Sequence, residues 1–208
     1  MPAAMGSNAV PSLITTERLH LVQLPPDAAW RALAYHEANR DHVAAVSPTR
    51  PANFFSVTYW RTRLAQDRED FRHDLSLRVF LLPRDQPFGL APIIGNASLT
   101  HIRRGPLQSA DLGYGLDHRY EGQGLMTEAL RALCDYAFTV MGLHRLQANH
   151  LPENVRSAAV LKRLGFHVEG FARELLLIDG QWRDHVLNAL LAPRGEPGKP
   201  AEPTQGTD

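Results

Sequence analysis

The sequence contains one cysteine in 208 residues. A single thiol, Cys134, cannot form an intrachain disulfide, so the cysteine content is typical of a reducing compartment and we expect a cytoplasmic protein. Because Cys134 falls on the apolar side of a predicted helix, we interpret it as a core residue rather than a nucleophile. The ten histidines show no HxxxH or HExxH spacing and no CxxC pair is present, so we expect no metal site.

Excess charge and long apolar runs are also missing. The 22 Lys and Arg residues balance 22 Asp and Glu residues, which argues against general binding to nucleic acid. No apolar run approaches the length that spans a bilayer, and residues 1–13 lack the basic start and apolar centre of a signal peptide. We therefore expect neither a membrane nor nucleic acid as a general partner.

The remaining composition is that of a soluble globular chain, with 44% hydrophobic residues and enough length for one domain with a real core. Residues 1–12 are interpreted as a disordered N-terminal arm. Residues 193–208 are rich in Pro, Gly and charge and cannot bury enough apolar surface to become ordered. Residues 13–192 are therefore predicted to form a single domain.

Apolar periodicity and turn residues predict the secondary structure of this domain. The order is a strand, one or two helices followed by a longer helix, three strands, helix, strand, helix and a hairpin. Asp179-Gly180 is the predicted hairpin turn, since both positions of such a turn need positive φ. This order predicts a mixed sheet with helices on both sides, an α/β or α+β domain. The predicted strands are 18–24, 76–82, 92–102, 110–117 and 143–151, the predicted helices lie within 27–46, 56–74, 125–141 and 154–166, and the hairpin spans 166–191.

Two glycines stand between a predicted strand and a predicted helix, in DHRYEGQGLMTEAL at 117–130. The first N–H groups of a helix have no partner within it and the helix dipole is positive there, so this turn predicts an anion site. The P-loop pattern GxxxxGK[ST] does not fit, because the turn has no lysine. The dinucleotide fingerprint GxGxxG fails too. Gly113 and Gly115 match its first two glycines, but His118 stands where the third is required. What fits is R-x-x-G-x-G, from Arg119 to Gly124.

This pattern resembles the phosphate-binding signature Q/R-x-x-G-x-G/A of the GNAT superfamily of N-acetyltransferases. Two further stretches strengthen the resemblance. NVRSAAVLKRLGF at 154–166 is similar to the segment that follows the family's fifth strand, and TTERLHLVQL at 15–24 resembles the start of the branch that acetylates ribosomal-protein N-termini. Within that branch the sequence resembles the RimJ type, which acts on ribosomal-protein alanine, over most of residues 15–192.

The resemblance implies the GNAT fold, a mixed and mostly antiparallel sheet of about seven strands with helices on both faces. The family's fourth and fifth strands, here about 111–117 and 144–151, splay apart, and the pantetheine arm of acetyl-CoA lies in the opening. Gly113 and Gly115 suit such a passage because neither has a side chain there. The alternative is that these glycines pack against a bulky neighbour.

The resemblance also implies which residues bind acetyl-CoA. Arg119 is expected to add positive charge near its phosphates, and the Leu116 amide to polarise the thioester carbonyl. Asn154 is a helix N-cap by its position, and by the resemblance it also contacts the pantetheine arm. Ser157, three residues later, can meet the cofactor's sulfur. The main-chain amides expected to hold the phosphates belong to Tyr120, Glu121, Gly122, Gln123, Gly124 and Leu125.

The expected reaction is direct transfer of an acetyl group to a primary amine. Asp111 and Glu174 are candidates for the general base, and for each the alternative is a solvated surface carboxylate. Ser157 or a nearby tyrosine, with Tyr114 as one candidate, is expected to return a proton to the departing thiolate.

Three functions fit these observations. The first is N-terminal acetylation of an alanine-starting ribosomal protein, with the ribosome or its precursor as a further partner and the enzyme a monomer or weak dimer. The second keeps the fold but acetylates another ribosomal protein, a polyamine or a drug amine. The third is a non-catalytic binding protein in ribosome assembly. The acceptor is expected between the first helices and the late hairpin, where Trp182, Arg183, Asp184 and His185 border the peptide or merely stabilise the hairpin.

Overall fold

The computed structural model describes residues 12–44 and 48–193, in which two strands, three α-helices and three strands precede a helix, a strand, a helix and a final hairpin. The predicted arm and tail lie outside the described residues, except for Ser12 and Pro193. Five α-helices are described: α1 (Ala29–Ala38), α2 (Arg40–Ala44), α3 (Val57–Arg72), α4 (Leu125–Thr139) and α5 (Val155–Arg163). The eight strands are β1 (Ile14–Thr15), β2 (Leu19–Val22), β3 (Leu77–Pro83), β4 (Gly95–Arg103), β5 (Ser109–Leu116), β6 (Arg145–His150), β7 (His167–Ile178) and β8 (Gln181–Leu191).

All eight strands form one sheet in the order β1-β2-β3-β4-β5-β6-β8-β7. Neighbouring strands are antiparallel, except that β5 and β6 run parallel. The mixed, mostly antiparallel sheet is confirmed, and the strand beyond the expected seven is the two-residue β1. The hairpin turn is also confirmed, since Asp179 and Gly180 have φ of 48° and 73°.

Each face of the sheet carries its own core. On one face, α4 and α5 pack leucines such as Leu130, Leu133 and Leu161 against apolar side chains from β2 to β6. On the other face, α1 and α3 cover Phe80 and neighbouring residues with Trp60 and other aromatic side chains. Burying apolar area on both sides fixes the sheet between two helical layers, as the sequence order predicts.

Local signals account for the helix boundaries. The Ser56 hydroxyl accepts a hydrogen bond from the Tyr59 N–H at 3.1 Å and so caps α3. Cys134 lies on the buried face of α4, in the hydrophobic core. Burial raises its pKa to about 12, so this thiol stays protonated and unreactive at neutral pH. Within residues 12–44 and 48–193, none of the helices has the length and apolarity that a bilayer span requires.

Candidate active site

The sheet opens between its two parallel strands. β5 and β6 stay paired for three residues only, from Ser109 opposite Arg145 to Asp111 opposite Gln147. Beyond these pairs β5 continues to Leu116 while β6 pairs with β8 on its other side. The opening therefore lies in the middle of the sheet, and it matches the splayed strands that the sequence predicts.

Free main-chain groups of β5 face this opening. The Asp117 N–H donates to the Ile94 carbonyl of β4 at 2.8 Å, and Gly115 and Gly113 lie opposite Asn96 and Ser98. Because hydrogen-bonding direction alternates along an antiparallel strand, the odd-numbered residues bond to β4. The N–H groups of Tyr114 and Leu116 consequently point away from β4, into the split.

The predicted anion turn lies at the wide end of the split. Gly122 and Gly124 have φ of 74° and 77°, a left-handed conformation that residues with side chains rarely adopt. Gly124 is the N-cap of α4, and no side chain of the described residues caps this helix. The first amides of α4 are thus left for another partner, and the helix dipole favours an anion there.

A buried carboxylate shapes the approach to this turn. Asp117 is 1% exposed and accepts hydrogen bonds from the Arg119 N–H at 2.9 Å, from the Arg119 guanidinium at 2.6 Å and from the Asn39 amide at 3.3 Å. The Arg119 guanidinium, ahead of Asn39, lowers the pKa of Asp117 to about 2. Arg119 therefore binds Asp117, and its side chain is not among those that line the split.

The N-terminal segment is fastened to the start of α4. Glu128, in the first turn of this helix, accepts hydrogen bonds from the Thr16 hydroxyl at 2.6 Å, the Arg18 N–H at 2.8 Å and the Arg18 Nε at 2.7 Å. Burial raises the pKa of Glu128, but these bonds outweigh it and the net shift is downward. The Arg18 guanidinium also donates to the Gln123 carbonyl at 3.0 Å, so it brings positive charge to the glycine turn.

A pair of hydroxyl groups lies on the α5 side of the split. The Asn154 side chain caps α5 by accepting from the Ser157 N–H at 3.0 Å, which confirms the predicted cap. The Ser157 and Tyr114 hydroxyls are hydrogen-bonded to each other at 2.8 Å, and either can be the donor. Burial raises the pKa of Tyr114, so the pair is protonated at neutral pH and can donate.

The two candidate bases have different surroundings. Asp111 lies at the closed end of the split, where Arg103 and His101 bind its two oxygens at 2.6 and 2.9 Å. Glu174 is exposed on β7, at an irregularity in the pairing with β8, and its φ of 49° is unusual for a residue with a side chain. Such strain concentrates at functional sites. The Glu174 N–H donates to the Asp184 carboxylate at 2.8 Å. The Glu174 carboxylate itself has no hydrogen-bond or ion-pair partner among the described residues.

A cavity of about 2110 Å³ passes through the split and reaches both faces of the sheet. Many of the predicted site residues line it together, whereas four others do not: Arg119, Tyr120, Gln123 and Glu174. The predicted residues in the lining are Asp111, Leu116, Glu121, Gly122, Gly124, Leu125, Asn154 and Ser157.

The far side of the cavity lies beneath α1 and α3. A Cβ at Gly115 would face the Asn96 amide and the Tyr35 hydroxyl at 3.8–3.9 Å, and one at Gly113 would meet the Ser98 hydroxyl at 3.2 Å. A side chain at residue 113 would therefore crowd Ser98, whereas one at residue 115 would be in ordinary contact, and the two glycines keep this face of β5 free of side chains. Because successive side chains alternate between faces, β5 presents these glycines to one side and Tyr114 to the other.

Comparison with known proteins agrees with this geometry. The family model for the acetyltransferase (GNAT) domain matches residues 18–167. The chain belongs to the GNAT acetyltransferase family.

Individual relatives cover nearly the whole chain. The [ribosomal protein uS5]-alanine N-acetyltransferase of Escherichia coli (strain K12) is 38% identical over 194 residues, which are 93% of this chain and 97% of that protein. The crystal structure of ribosomal-protein-S5-alanine acetyltransferase from Vibrio fischeri is 33% identical with a TM-score of 0.80, and covers 86% of this chain and 95% of that one. The RimJ of Mycobacterium smegmatis in complex with CoA-disulfide is 30% identical with a TM-score of 0.76, over 84% and 82% of the two chains.

The late hairpin contributes less to the GNAT cavity than the sequence predicts. His185 lines it together with Leu176. Trp182 is 60% exposed, and Arg183 binds Glu153 instead. First-helix residues do line the cavity, as predicted.

Several other lining residues could not be predicted from the sequence. Tyr35, Asn96 and Ser98 lie far apart in the chain, and only strand register and the position of α1 bring them together. Arg18 lies within TTERLHLVQL, a stretch that carries no sign of what its side chain contacts. Its ion pair with Glu128 spans 110 residues, a separation at which sequence spacing carries no signal.

Proposed function

We propose that the protein transfers the acetyl group of acetyl-CoA directly to the α-amino group of a ribosomal protein that begins with alanine. The observation that carries the proposal is the uncapped glycine turn opening onto the split between β5 and β6. The relatives named for ribosomal-protein alanine support the choice of acceptor. The enzyme would act in the cytoplasm, as a monomer or weak dimer, on the ribosome or its precursor.

The turn fits the phosphates of acetyl-CoA. A Cβ at Gly122 would meet no atom of the described residues within 4 Å, so the backbone is open to a close ligand. The N–H groups of residues 120–125 would hold the diphosphate, with charge supplied by Arg18. Arg119 would act by holding Asp117 and so fixing the turn. Asn154 would contact the pantetheine arm from the cap of α5.

Acetyl-CoA supplies an activated acetyl thioester, and the residues of the split direct its use. The Leu116 N–H points into the opening and would donate to the acyl oxygen, where negative charge develops. As the carbon–sulfur bond breaks, the Ser157 hydroxyl would give its proton to the departing sulfur and take one from Tyr114 through their 2.8 Å hydrogen bond. Water in the cavity would return a proton to Tyr114, which balances the proton that the amine loses when it is acetylated.

The acceptor amine must be neutral before it attacks. A peptide α-amino group has a pKa of about 7.7–8.0, so a fraction is neutral at cytosolic pH, whereas a lysine near 10.4 is far more protonated. A weak base acting through water therefore suffices for the α-amine. Asp111 lines the cavity, but Arg103 and His101 already hold its carboxylate. Glu174 is therefore our first candidate for this role, and because it lies outside the cavity lining it would have to reach the amine through water.

Acetylation assays with labelled acetyl-CoA test the proposal. The acceptors are an alanine-starting peptide, the same peptide with a blocked N-terminus and one lysine, and spermidine. We expect acetylation of the free α-amine and little of the other two. Acetylation of spermidine without the peptide would refute the acceptor class. Absence of acetyl-CoA binding in calorimetry would instead support a non-catalytic role.

A further inference from the structure

The acceptor side of the cavity holds more arginine than it needs for its own ion pairs. Asp67, on α3 and 5% exposed, is bound by Arg63 and approached by Arg78, whose Nε lies 3.3 Å from its Oδ1. Arg63 also reaches Asp70 at 3.2 Å. Asp111 is likewise held by Arg103 and His101, so each of these three carboxylates is already bound by a cation.

Arg50 has no such partner among the described residues. Its guanidinium lies over the Phe54 ring, 4.4 Å from the centroid, and it lines the cavity. A guanidinium stacked on a ring keeps its in-plane N–H donors free, and those donors match the two oxygens of a carboxylate. No carboxylate contributes to the lowered pKa of Arg50, which burial causes.

Arg78 also offers unused donors. Its Nε is buried and lacks hydrogen-bond geometry to any group of the described residues, despite the nearby Asp67. Its terminal nitrogens make no hydrogen bond within the described part of the chain, and the residue lines the cavity. The Phe54 ring beneath Arg50 packs against Tyr59 of α3, with ring centroids 5.2 Å apart, and Arg78 faces Asp67 of the same helix. Both guanidinium groups therefore lie along the α3 wall of the cavity.

We infer that Arg50 and Arg78 form a subsite for a carboxylate of the acceptor, so that the preferred substrate is a peptide with an acidic side chain a few residues after its free amine. The inference rests on the proposed function. It also disfavours polyamines, because a cationic acceptor would be repelled by the guanidinium groups of Arg50 and Arg78.

The sheet register gives the spacing. Arg78 lies opposite Ser98, and Ser98 opposite Gly113, on three adjacent strands. Neighbouring strands are about 4.8 Å apart, so Arg78 lies about 10 Å from the strand at the edge of the split. An extended peptide advances about 3.3 Å per residue. Leu116, where the acyl oxygen would be held, lies three residues or about 10 Å beyond Gly113 along β5, so Arg78 lies about 14 Å from the reacting centre. The acidic side chain is therefore expected at about the fourth or fifth residue of the acceptor.

A walked-charge peptide series tests this subsite. Each peptide begins with alanine, ends in an amide, is otherwise neutral, and carries one glutamate at one position from the second to the sixth. A glutamine peptide matches each one, and kcat/KM is measured for all. We expect glutamate to exceed glutamine by about tenfold or more at the fourth or fifth position, as for a hydrogen bond to a charged group.

Variants identify the arginines responsible. Arg50→Gln and Arg78→Gln should each reduce the glutamate-to-glutamine ratio, and Arg50→Glu should shift the preference towards a lysine peptide. Arg61→Gln is the matched control, because Arg61 is exposed on α3 outside the cavity lining and should leave the ratio unchanged. Since Arg50 makes no ion pair among the described residues, its variants lose only the stacking on Phe54, and the melting temperature should fall by no more than about 2–4 °C.

The failures are distinguishable. Equal use of glutamate and glutamine peptides at every position, with normal acetylation of both, would overturn the subsite and leave the proposed function intact. A glutamate-to-glutamine ratio that stays unchanged in both Arg50→Gln and Arg78→Gln would also overturn the subsite and leave the proposed function intact. If no alanine-starting peptide is acetylated at all, the proposed function fails and the subsite fails with it.

Discussion

Two glycines in matched backbone conformations allow the anion turn to be tested separately from fold stability. Gly122 in the turn and Gly180 in the β7–β8 hairpin have φ of 74° and 73°. At both positions a Cβ would meet no atom of the described residues within 4 Å. Replacing either with alanine therefore imposes the same backbone strain without a clash. Only Gly122 lines the cavity.

The expected stability changes are small and equal. A left-handed conformation costs a residue with a Cβ about 1–2 kcal/mol, and the stiffer unfolded chain returns about 0.4–1 kcal/mol. The net loss is roughly 1 kcal/mol for Gly122→Ala and for Gly180→Ala, or about 2–4 °C in melting temperature for a chain of this size.

The expected binding changes differ. A methyl group at residue 122 would stand where a diphosphate must approach the amides. Losing one hydrogen bond to a charged group costs about 1.5–3 kcal/mol, which corresponds to roughly 10- to 100-fold in Kd. Calorimetry with acetyl-CoA should show this loss for Gly122→Ala and an unchanged Kd for Gly180→Ala. Equal Kd values for the two variants would refute the placement of the phosphates.

Further predictions concern protons at the site. Ser157→Ala and Tyr114→Phe should each lower kcat by about 10- to 100-fold and leave the acetyl-CoA Kd within about threefold; rapid-quench kinetics with calorimetry would show the split. Glu174→Gln should lower kcat by about 100-fold at unchanged acetyl-CoA Kd, and full activity would eliminate it as the base. The pKa of Asp117, lowered from 3.8 to about 2, stabilises the fold by about 2 kcal/mol above pH 4. That stability is lost as pH falls from about 4 to about 2. In denaturant titrations, the free energy of unfolding should therefore fall less over this pH range in Asp117→Asn than in the parent.

Much of the fold could be predicted because its signals are local. Ser56 and Asn154 precede apolar helices and cap them, and Asp179-Gly180 has the residues that a two-residue hairpin turn requires. The sequence does not predict β1, because Ile14 and Thr15 form a strand only by pairing with β2. Two residues carry no readable alternation.

The site was harder to predict because its contacts are long-range. The sequence indicated Arg119 as a phosphate ligand, but the structure places its guanidinium on Asp117, which only the three-dimensional turn brings into contact. The positive φ of Glu174 follows from an irregular pairing of β7 with β8, and pairing register is invisible in the residues of one strand. The carboxylate subsite likewise depends on register across three strands.

One strand joins the two halves of the proposed reaction, and its alternation explains how. In β5 the even-numbered residues point their amides into the split and their side chains towards α5, as Tyr114 does. The odd-numbered residues bond to β4 and turn their missing or short side chains towards α1, as Gly115 does. Donors for the thioester and room for the acceptor thus come from successive residues of the same segment. Because the period is two, a one-residue shift of β5 against β4 would exchange these roles. The antiparallel register with β4, fixed by six consecutive pairs from Gly95–Leu116 to Thr100–Asp111, is therefore what aligns the two substrates.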